Sequence, residues 1–424
     1  MSADWLRARI AANLKGEAVA VPSWCTAHPE TLTAIFAAYR EDRTPILIEA
    51  TCNQVNQEGG YSGLTPEAFR AKTERLAQDA GIDPARLILG GDHLGPNPWR
   101  GEPAGQAMAK AKAMVAAYAQ AGYSKLHLDA SMACAGEGPP SEDTIAHRAA
   151  ELAEAAEATG RVPLYAIGTE VPPPGGEAAH GAAPSVTSPE AARAAFELHR
   201  DAFARRGLQG AFARIVALVA QPGVEFGNEA VIRLDEAKAK PLAEAARHLH
   251  GAAFEAHSTD YQGAHALRGL ARLHFAVLKV GPELTFAYRQ AMFALERAER
   301  AMAPADPSRL TETLLACLRA EPALWRAHVA EGPREEMSLL YGLSDRVRYV
   351  WPRAPVQAAL ARLRANLAAL RPPLGLLAEA LGETPAETPA ETLAETLDPA
   401  RLPETLPGAM VGRVVGRYRA ATGA

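Results

Sequence analysis

The stretch "ILGGDHLGP" (residues 88–96) ends an apolar run in two glycines and then sets an acid beside an imidazole, Asp92 and His93. A carboxylate that can move a proton, next to a nitrogen that can hold a divalent ion, suits metal-assisted proton transfer. Similar residues recur where other apolar runs end. Ser23 and Cys25, Glu49 and Gln54, His127 and Asp129, Thr169 and Glu170 stand at such ends. So do Gln221 and Glu225, the trio Glu255, His257 and Ser258, and the pair Lys279 and Glu283. Any one of them is more often a capped turn or a structural ion pair than a ligand. Together, imidazoles and carboxylates from several segments suit a divalent ion: zinc first, with manganese, nickel or cobalt as alternatives.

These residues meet only if the apolar runs are strands with a common exit edge. Eight runs, at 18–24, 44–51, 86–92, 125–131, 163–171, 213–223, 251–260 and 274–284, alternate with Ala-rich helical stretches. Repeated strand–helix units with apolar strands predict a parallel sheet covered by helices. Eight units over about three hundred residues predict an α/β (β/α)8 TIM barrel, whose chemistry sits at the C-terminal ends of the strands. No G-x-G-x-x-G follows the first run, which disfavours an open dinucleotide-binding sheet. Thr65-Pro66-Glu67 and Ser188-Pro189-Glu190 read as helix starts, each a cap, a proline and an early acid.

The rhythm changes near residue 300. Residues 1–300 are expected to form the barrel and 301–375 a helical extension packed on it. Residues 376–424 read as a low-complexity linker, "ETPAETPAETLAETL" at 383–397, and a short C-terminal helix.

Composition bounds the function. Of 424 residues 48% are hydrophobic, enough for a large core, and the net charge of −5 argues against a nucleic-acid binder. The four cysteines form no C-x-x-C pair, which disfavours a disulfide framework or zinc knuckle and fits a reducing cytoplasm. No window is apolar enough to cross a membrane, and the charged N-terminal stretch reads as an amphipathic helix rather than a signal peptide.

Seven ordered blocks carry a resemblance. "IEATCNQVNQEGGYSGLTP", "GGDHLGPNPW", "KLHLDASMACAG", "IGTEVPPPGGE", "VAQPGVEFG", "EAHSTDYQ" and "LKVGPELTFAYRQAMFALE" closely resemble the tagatose-bisphosphate aldolase subunit family of the GatZ/KbaZ type. The similarity runs on through "YGLSDRVRYVWP" to about residue 375. It implies either a metal-dependent enzyme acting at C3–C4 of a tagatose- or fructose-type ketohexose, or a non-catalytic, chaperone-like subunit of an aldolase. More distantly the chain resembles the zinc-dependent class II aldolases. That likeness implies His93 and His257 as metal ligands and Asp92 as the proton-transfer residue. A strand-six histidine of those aldolases has no counterpart, so Gln221 or Glu225 stands in its place, Glu225 being the expected third ligand.

The implied chemistry is polarisation of a ketose carbonyl by the ion and deprotonation of the C4 hydroxyl by Asp92, Asp129 or Glu170. Breaking C3–C4 and re-adding on the other face inverts C4, whereas releasing the fragment is aldol cleavage. Gln54, Asn56, Lys125, Gln221 and Ser258 are the expected substrate binders, and Arg346 and Arg348 the groups that close the site from the extension. In place of the phosphate loops of the class II aldolases stand "HSTDYQ" and "KVGPE", where Pro282 lacks an N–H and Asp260 adds negative charge. A free or singly phosphorylated ketose is therefore expected. A kinase activity, which older descriptions of the GatZ/KbaZ-type family imply, has no P-loop behind it. The expected partners are a small ketose, an aldolase subunit and further copies of the chain.

Overall fold

The computed structural model describes residues 2–168, 184–329, 331–381 and 402–423. Eight parallel strands close into a barrel with helices outside, the expected (β/α)8 architecture. They are β1 (Val21–Cys25), β2 (Ile46–Thr51), β3 (Leu87–Leu94), β4 (Lys125–Leu128), β5 (Leu164–Ile167), β6 (Ile215–Val219), β9 (Ala253–Ala256) and β10 (Phe275–Val280). Between β6 and β9, β7 (Glu225–Phe226) and β8 (Val231–Ile232) pair as a separate antiparallel ribbon.

Each barrel strand is buried almost throughout, because one face fills the barrel and the other meets the helices. Alternation sorts the residues. In β2, Ile46, Ile48 and Ala50 join the outer core while Leu47 points into the lower barrel. In β9, Phe254 and Ala256 go outward and Ala253 inward. The inner layer at the N-terminal ends is apolar: Val21, Leu47, Ile88, Leu164, Val216, Ala253, Ala276 and Val277. The first helix, Ser2–Leu14, closes that end with Leu6 and Ile10, and Asn13 ties it to Ala271 O at 2.8 Å.

Helices begin where the capping signals lie. Thr65 Oγ1 accepts from Ala68 N at 3.3 Å, and Ser188 Oγ from Ala191 N at 3.0 Å. The last helix is longer and more integral than expected. It runs Leu402–Thr422 and packs on the helices Pro29–Ala38, Ala264–Arg272 and Pro282–Ala301, against β1. Its Tyr418 meets Trp24 edge-on at 5.7 Å and donates to Thr259 O at 2.7 Å. Among the described residues no helix is long and apolar enough to cross a membrane.

The extension begins with the helix Leu310–Ala320 and brings the turn Arg346–Tyr349 to the upper end of the barrel. Buried Arg289 fixes that turn, donating from Nε to Asp345 Oδ1 at 2.6 Å and from Nη2 to Gly342 O at 3.3 Å. Tyr261 OH adds a bond to Leu343 O at 2.5 Å.

Candidate active site at the barrel mouth

Adjacent residues of a strand point to opposite faces, so Asp92 and His93 should not both face inward. A bulge lets them do so. Gly91 pairs with Leu126 and Leu94 with Leu128, so β3 spends one residue more than β4 over this interval. His93 takes a left-handed backbone, φ 47, unusual for a residue with a Cβ and typical of strain kept at functional sites. Ser258, two residues past the end of β9, does the same with φ 53. A Cβ at Gly90 would lie 2.5 Å from Glu49 Oε1, so this glycine makes room for the Glu49 carboxylate.

Below the mouth lies a layer of buried ions. Lys125 Nζ is 2.8 Å from both Glu49 Oε1 and Glu255 Oε2. Lys279 Nζ bonds Glu49 Oε2, Asp92 Oδ1 at 2.5 Å and Glu255 Oε1 at 3.2 Å. Burial alone would discharge these lysines, but Glu255 and Glu49 raise Lys125, and Asp92, Glu255 and Glu49 raise Lys279. Both stay cationic, and neither is a free amine that could attack a carbonyl. Burial likewise opposes ionisation of Asp92 and Glu255. His93 and Lys279 nevertheless hold Asp92 well below the usual range, and Lys125 and Lys279 do the same for Glu255.

Three imidazoles sit on this layer. His93 Nδ1 faces Asp129 Oδ2 at 2.9 Å, a carboxylate that can only accept, so Nδ1 carries the proton. His257 Nε2 likewise faces Glu255 Oε1 at 3.1 Å. The remaining nitrogens, His93 Nε2 and His257 Nδ1, face each other at 3.1 Å. Two lone pairs cannot share that gap without a cation between them. Burial lowers His257 to about 3, whereas Asp92 and Asp129 overcome burial to raise His93. A cation, either a proton or a metal ion, must therefore bridge the pair. His127 Nδ1 lies 3.0 Å from Asp92 Oδ1.

A divalent ion fits this site. One ligand atom from each of Asp92, His93, His127 and His257 lies within 4.8 Å of the others. An ion can supply the cation that the facing nitrogens need, and two of the imidazoles already have their other nitrogen tied to a carboxylate. Among the described residues, four carboxylates, Glu49, Asp92, Asp129 and Glu255, face two ammonium groups, leaving two negative charges for a dication to balance. The neighbouring group Cys25, Glu49 and Asp92 is different, because the Lys279 ammonium already bonds both of its carboxylates.

Above the imidazoles opens a cavity of about 360 Å³, of small-molecule size. Asp92, His93, His257, Ser258 and Gln54 line it, and Lys279 lines it too. Arg348 and Tyr349 close one wall from the extension, with fully buried Arg346 behind them.

Other expected residues lie elsewhere. Lys125, fully buried, sits in the ion layer rather than on the wall. Asp129 holds His93 from behind and accepts from Ser131 Oγ at 2.6 Å. Asn56 organises its own loop, accepting from Glu58 N and Gly60 N. Gln221 accepts from Gly223 N at 2.8 Å and shares bonds with Thr187. Glu225 lies on the β7–β8 ribbon, outside the four-residue ligand group. Glu170 lies outside the described residues. The expected ligand set omitted His127, though its signal was present. In "KLHLDAS" Lys125, His127 and Asp129 recur at every second position between leucines of the outer core, so all three belong to the inner face.

The family described as D-tagatose-1,6-bisphosphate aldolase subunit GatZ/KbaZ-like matches residues 6–423 of the chain. A D-tagatose 6-phosphate 4-epimerase of Agrobacterium fabrum is 44% identical over 383 residues, covering 88% of this chain and 90% of that protein. A crystal structure of a probable tagatose 6-phosphate kinase from Sinorhizobium meliloti has a TM-score of 0.83 at 44% identity, covering 95% of this chain and all of the other.

Proposed function

Since the chain belongs to the D-tagatose-1,6-bisphosphate aldolase subunit GatZ/KbaZ-like family, we propose that it is a divalent-metal-dependent 4-epimerase of a phosphorylated ketohexose, D-tagatose 6-phosphate. The observation that carries this reading is Asp92: a carboxylate kept ionised on the cavity wall, beside Lys279 and a His cluster fit for a dication.

His93, His127 and His257 would hold the ion, His127 taking the part expected of Glu225. Bound there, zinc, manganese, nickel or cobalt supplies the Lewis acidity that polarises the ketose carbonyl. Asp92 takes the proton from the C4 hydroxyl as C3–C4 breaks, the electron pair of that bond moving to C3 and the carbonyl. Lys279 keeps Asp92 ionised, and so able to accept a proton, by favouring its charged form. The aldehyde fragment turns its other face before C3–C4 forms again, and Asp92 returns the proton to the C4 oxygen. Nothing is oxidised or reduced. The walls formed by Arg348, Tyr349 and Trp351 keep the fragment in place, which separates epimerisation from cleavage. Asp129 and Glu255 act through the imidazoles they hold. Ser258 and Gln54 are the sugar-hydroxyl partners on the wall.

A purely scaffolding subunit has no need of this ion layer. Burying carboxylates and ammonium groups is often no better for stability than burying apolar residues of the same volume. Incubating the metal-loaded protein with D-tagatose 6-phosphate tests the reading. The C4 epimer, D-fructose 6-phosphate, is expected by chromatography. Triose products alone would make the protein a lyase, and no turnover with any of the four metals would defeat the enzyme reading.

A further inference from the structure

A phosphorylated ketose needs an anion site in this cavity. In (β/α)8 barrels the usual place is the loops after the last strands, where a helix N-terminus offers free amides. Here that place is taken. Asp260 Oδ1 accepts from Gly281 N at 3.0 Å and Glu283 N at 2.8 Å, at the start of the helix Pro282–Ala301. The residue between them, Pro282, has no N–H. The chain's own carboxyl group takes the amides that a phosphate oxygen would need, and the Glu283 carboxylate stands beside it, paired with Arg417.

The cationic side chains on the cavity wall are then the alternatives. Lys279 is held by three carboxylates, and Lys72 shares its corner with His28 and Glu30. Arg348 is different: no carboxylate among the described residues forms an ion pair with it. The carboxylate that acts on it, Asp345, is engaged by Arg289 at 2.6 Å. Arg348 Nη1 donates to the carbonyls of Ser344 and Asp345, which fixes the plane of the guanidinium. Its Nη2 donates to Tyr349 OH at 2.7 Å, and Arg346 Nη1 reaches the same oxygen at 3.3 Å. That phenol oxygen receives two cationic donors, so its own hydrogen is a strong donor aimed elsewhere. Despite burial, Arg348 and Arg346 hold the Tyr349 phenol below its ordinary value. Tyr61 packs edge-on against Tyr349 at 4.8 Å and also lines the cavity. The local field is positive: after burial, it is Arg346, Arg348 and Arg100 that push His328 down to about 3.

We infer that Arg348, with the Tyr349 hydroxyl beside it, binds the substrate's phosphate, so that the helical extension rather than the barrel loops selects a phosphorylated sugar. A planar guanidinium with its orientation already fixed suits a phosphate better than a mobile lysine does. The inference rests on the ketose-phosphate reading for the identity of the sugar, but not for the presence of the anion site.

Calorimetry on the metal-loaded protein with D-tagatose 6-phosphate, D-tagatose and inorganic phosphate tests it. The wild type is expected to bind the phosphorylated sugar more tightly, with inorganic phosphate competing. Arg348→Ala should lower the ratio of the two sugar affinities by about 30-fold and abolish competition by phosphate. Arg348→Lys, which keeps the charge and most of the packing, should lower the ratio by about 5-fold. An equal fall for both sugars in both variants means a structural role and overturns the inference, as does an unchanged ratio or a wild type indifferent to phosphate. If the ratio falls as expected but no C4 epimer forms, the function is wrong and the anion site stands.

Discussion

At the lower end of the barrel the inward positions are Val21, Leu47, Ile88 and Ala253, closed by Leu6 and Ile10 of the first helix. Two residues further along the same strands they are Glu49 and Glu255, with Lys125 and Lys279 between them. The outward faces do not change character between the two levels. The lower layer therefore gains its free energy from burial, at about 1.5–3 kcal/mol for each large side chain. The upper layer spends stability to hold charges in fixed positions, and only complete pairing makes that tolerable. The contrast teaches that within one barrel the level along the strand, more than the strand itself, decides whether a residue supports the fold or the chemistry.

The largest expected effect comes from the top of the upper layer. His93→Ala should lose bound metal by elemental analysis and cut kcat/KM for D-tagatose 6-phosphate by about 10³-fold or more. Asp129→Asn should weaken metal binding by about 10- to 100-fold, because Asp129 sets the proton on His93 Nδ1. Metal content unchanged in both variants would remove the imidazoles from the ion's coordination and with them the division drawn between the two levels.

One step down, Lys125→Met leaves Glu49 and Glu255 with one fewer cation. Breaking a buried pair from one side costs about 3–5 kcal/mol, to be measured by denaturant unfolding. Adding Glu255→Gln should restore part of that loss, since the uncompensated charge is then gone. A loss under about 1 kcal/mol for Lys125→Met would mean that water already reaches the layer.

How far this division can be read from the chain alone depends on the residue. The barrel follows from eight apolar runs at regular spacing, and alternation within a run identifies the inner face, as Lys125, His127 and Asp129 illustrate. The adjacency of Asp92 and His93 marks the metal corner, but the bulge that turns both inward depends on the register with β4. Glu225 was expected at the exit of strand six, yet that chain leaves the barrel into a ribbon pairing Glu225 with Ile232, a contact no local pattern announces. Lys279, in "FAVLKV", reads as a strand residue with an odd charge until the carboxylates of β2, β3 and β9 are brought to it. Long-range pairing of charges is what a one-dimensional pattern leaves out.

At the lower end Ile10→Ala should cost about 2–5 kcal/mol through the cavity it leaves against Val21 and Leu47, with metal content and kcat/KM unchanged. A fall in activity without loss of fold would show that the two levels are mechanically coupled, and the contrast would need redrawing.

The smallest effect concerns Asp260, a carboxylate of the upper end that no ammonium group compensates. Burial and then the neighbouring Glu283 push it up to about 7, although two backbone amides donate to it. The sign follows from proton counting. Between the unfolded value near 4 and the folded value near 7, the folded chain holds a proton that the unfolded chain has released, so stability falls as pH rises and levels off above 7. From pH 6 to pH 8 the unfolded group gains two pH units of ionisation free energy and the folded group only about one, a loss of about 1.4 kcal/mol. Asp260→Asn keeps an oxygen for both amides and removes the titration, so this part of the slope should vanish in urea unfolding at the two pH values. If the slope persists in the variant, Asp260 is already ionised at pH 6. It would then resemble the paired carboxylates of the ion layer, with the two amides and the helix N-terminus doing for it what Lys279 does for Asp92.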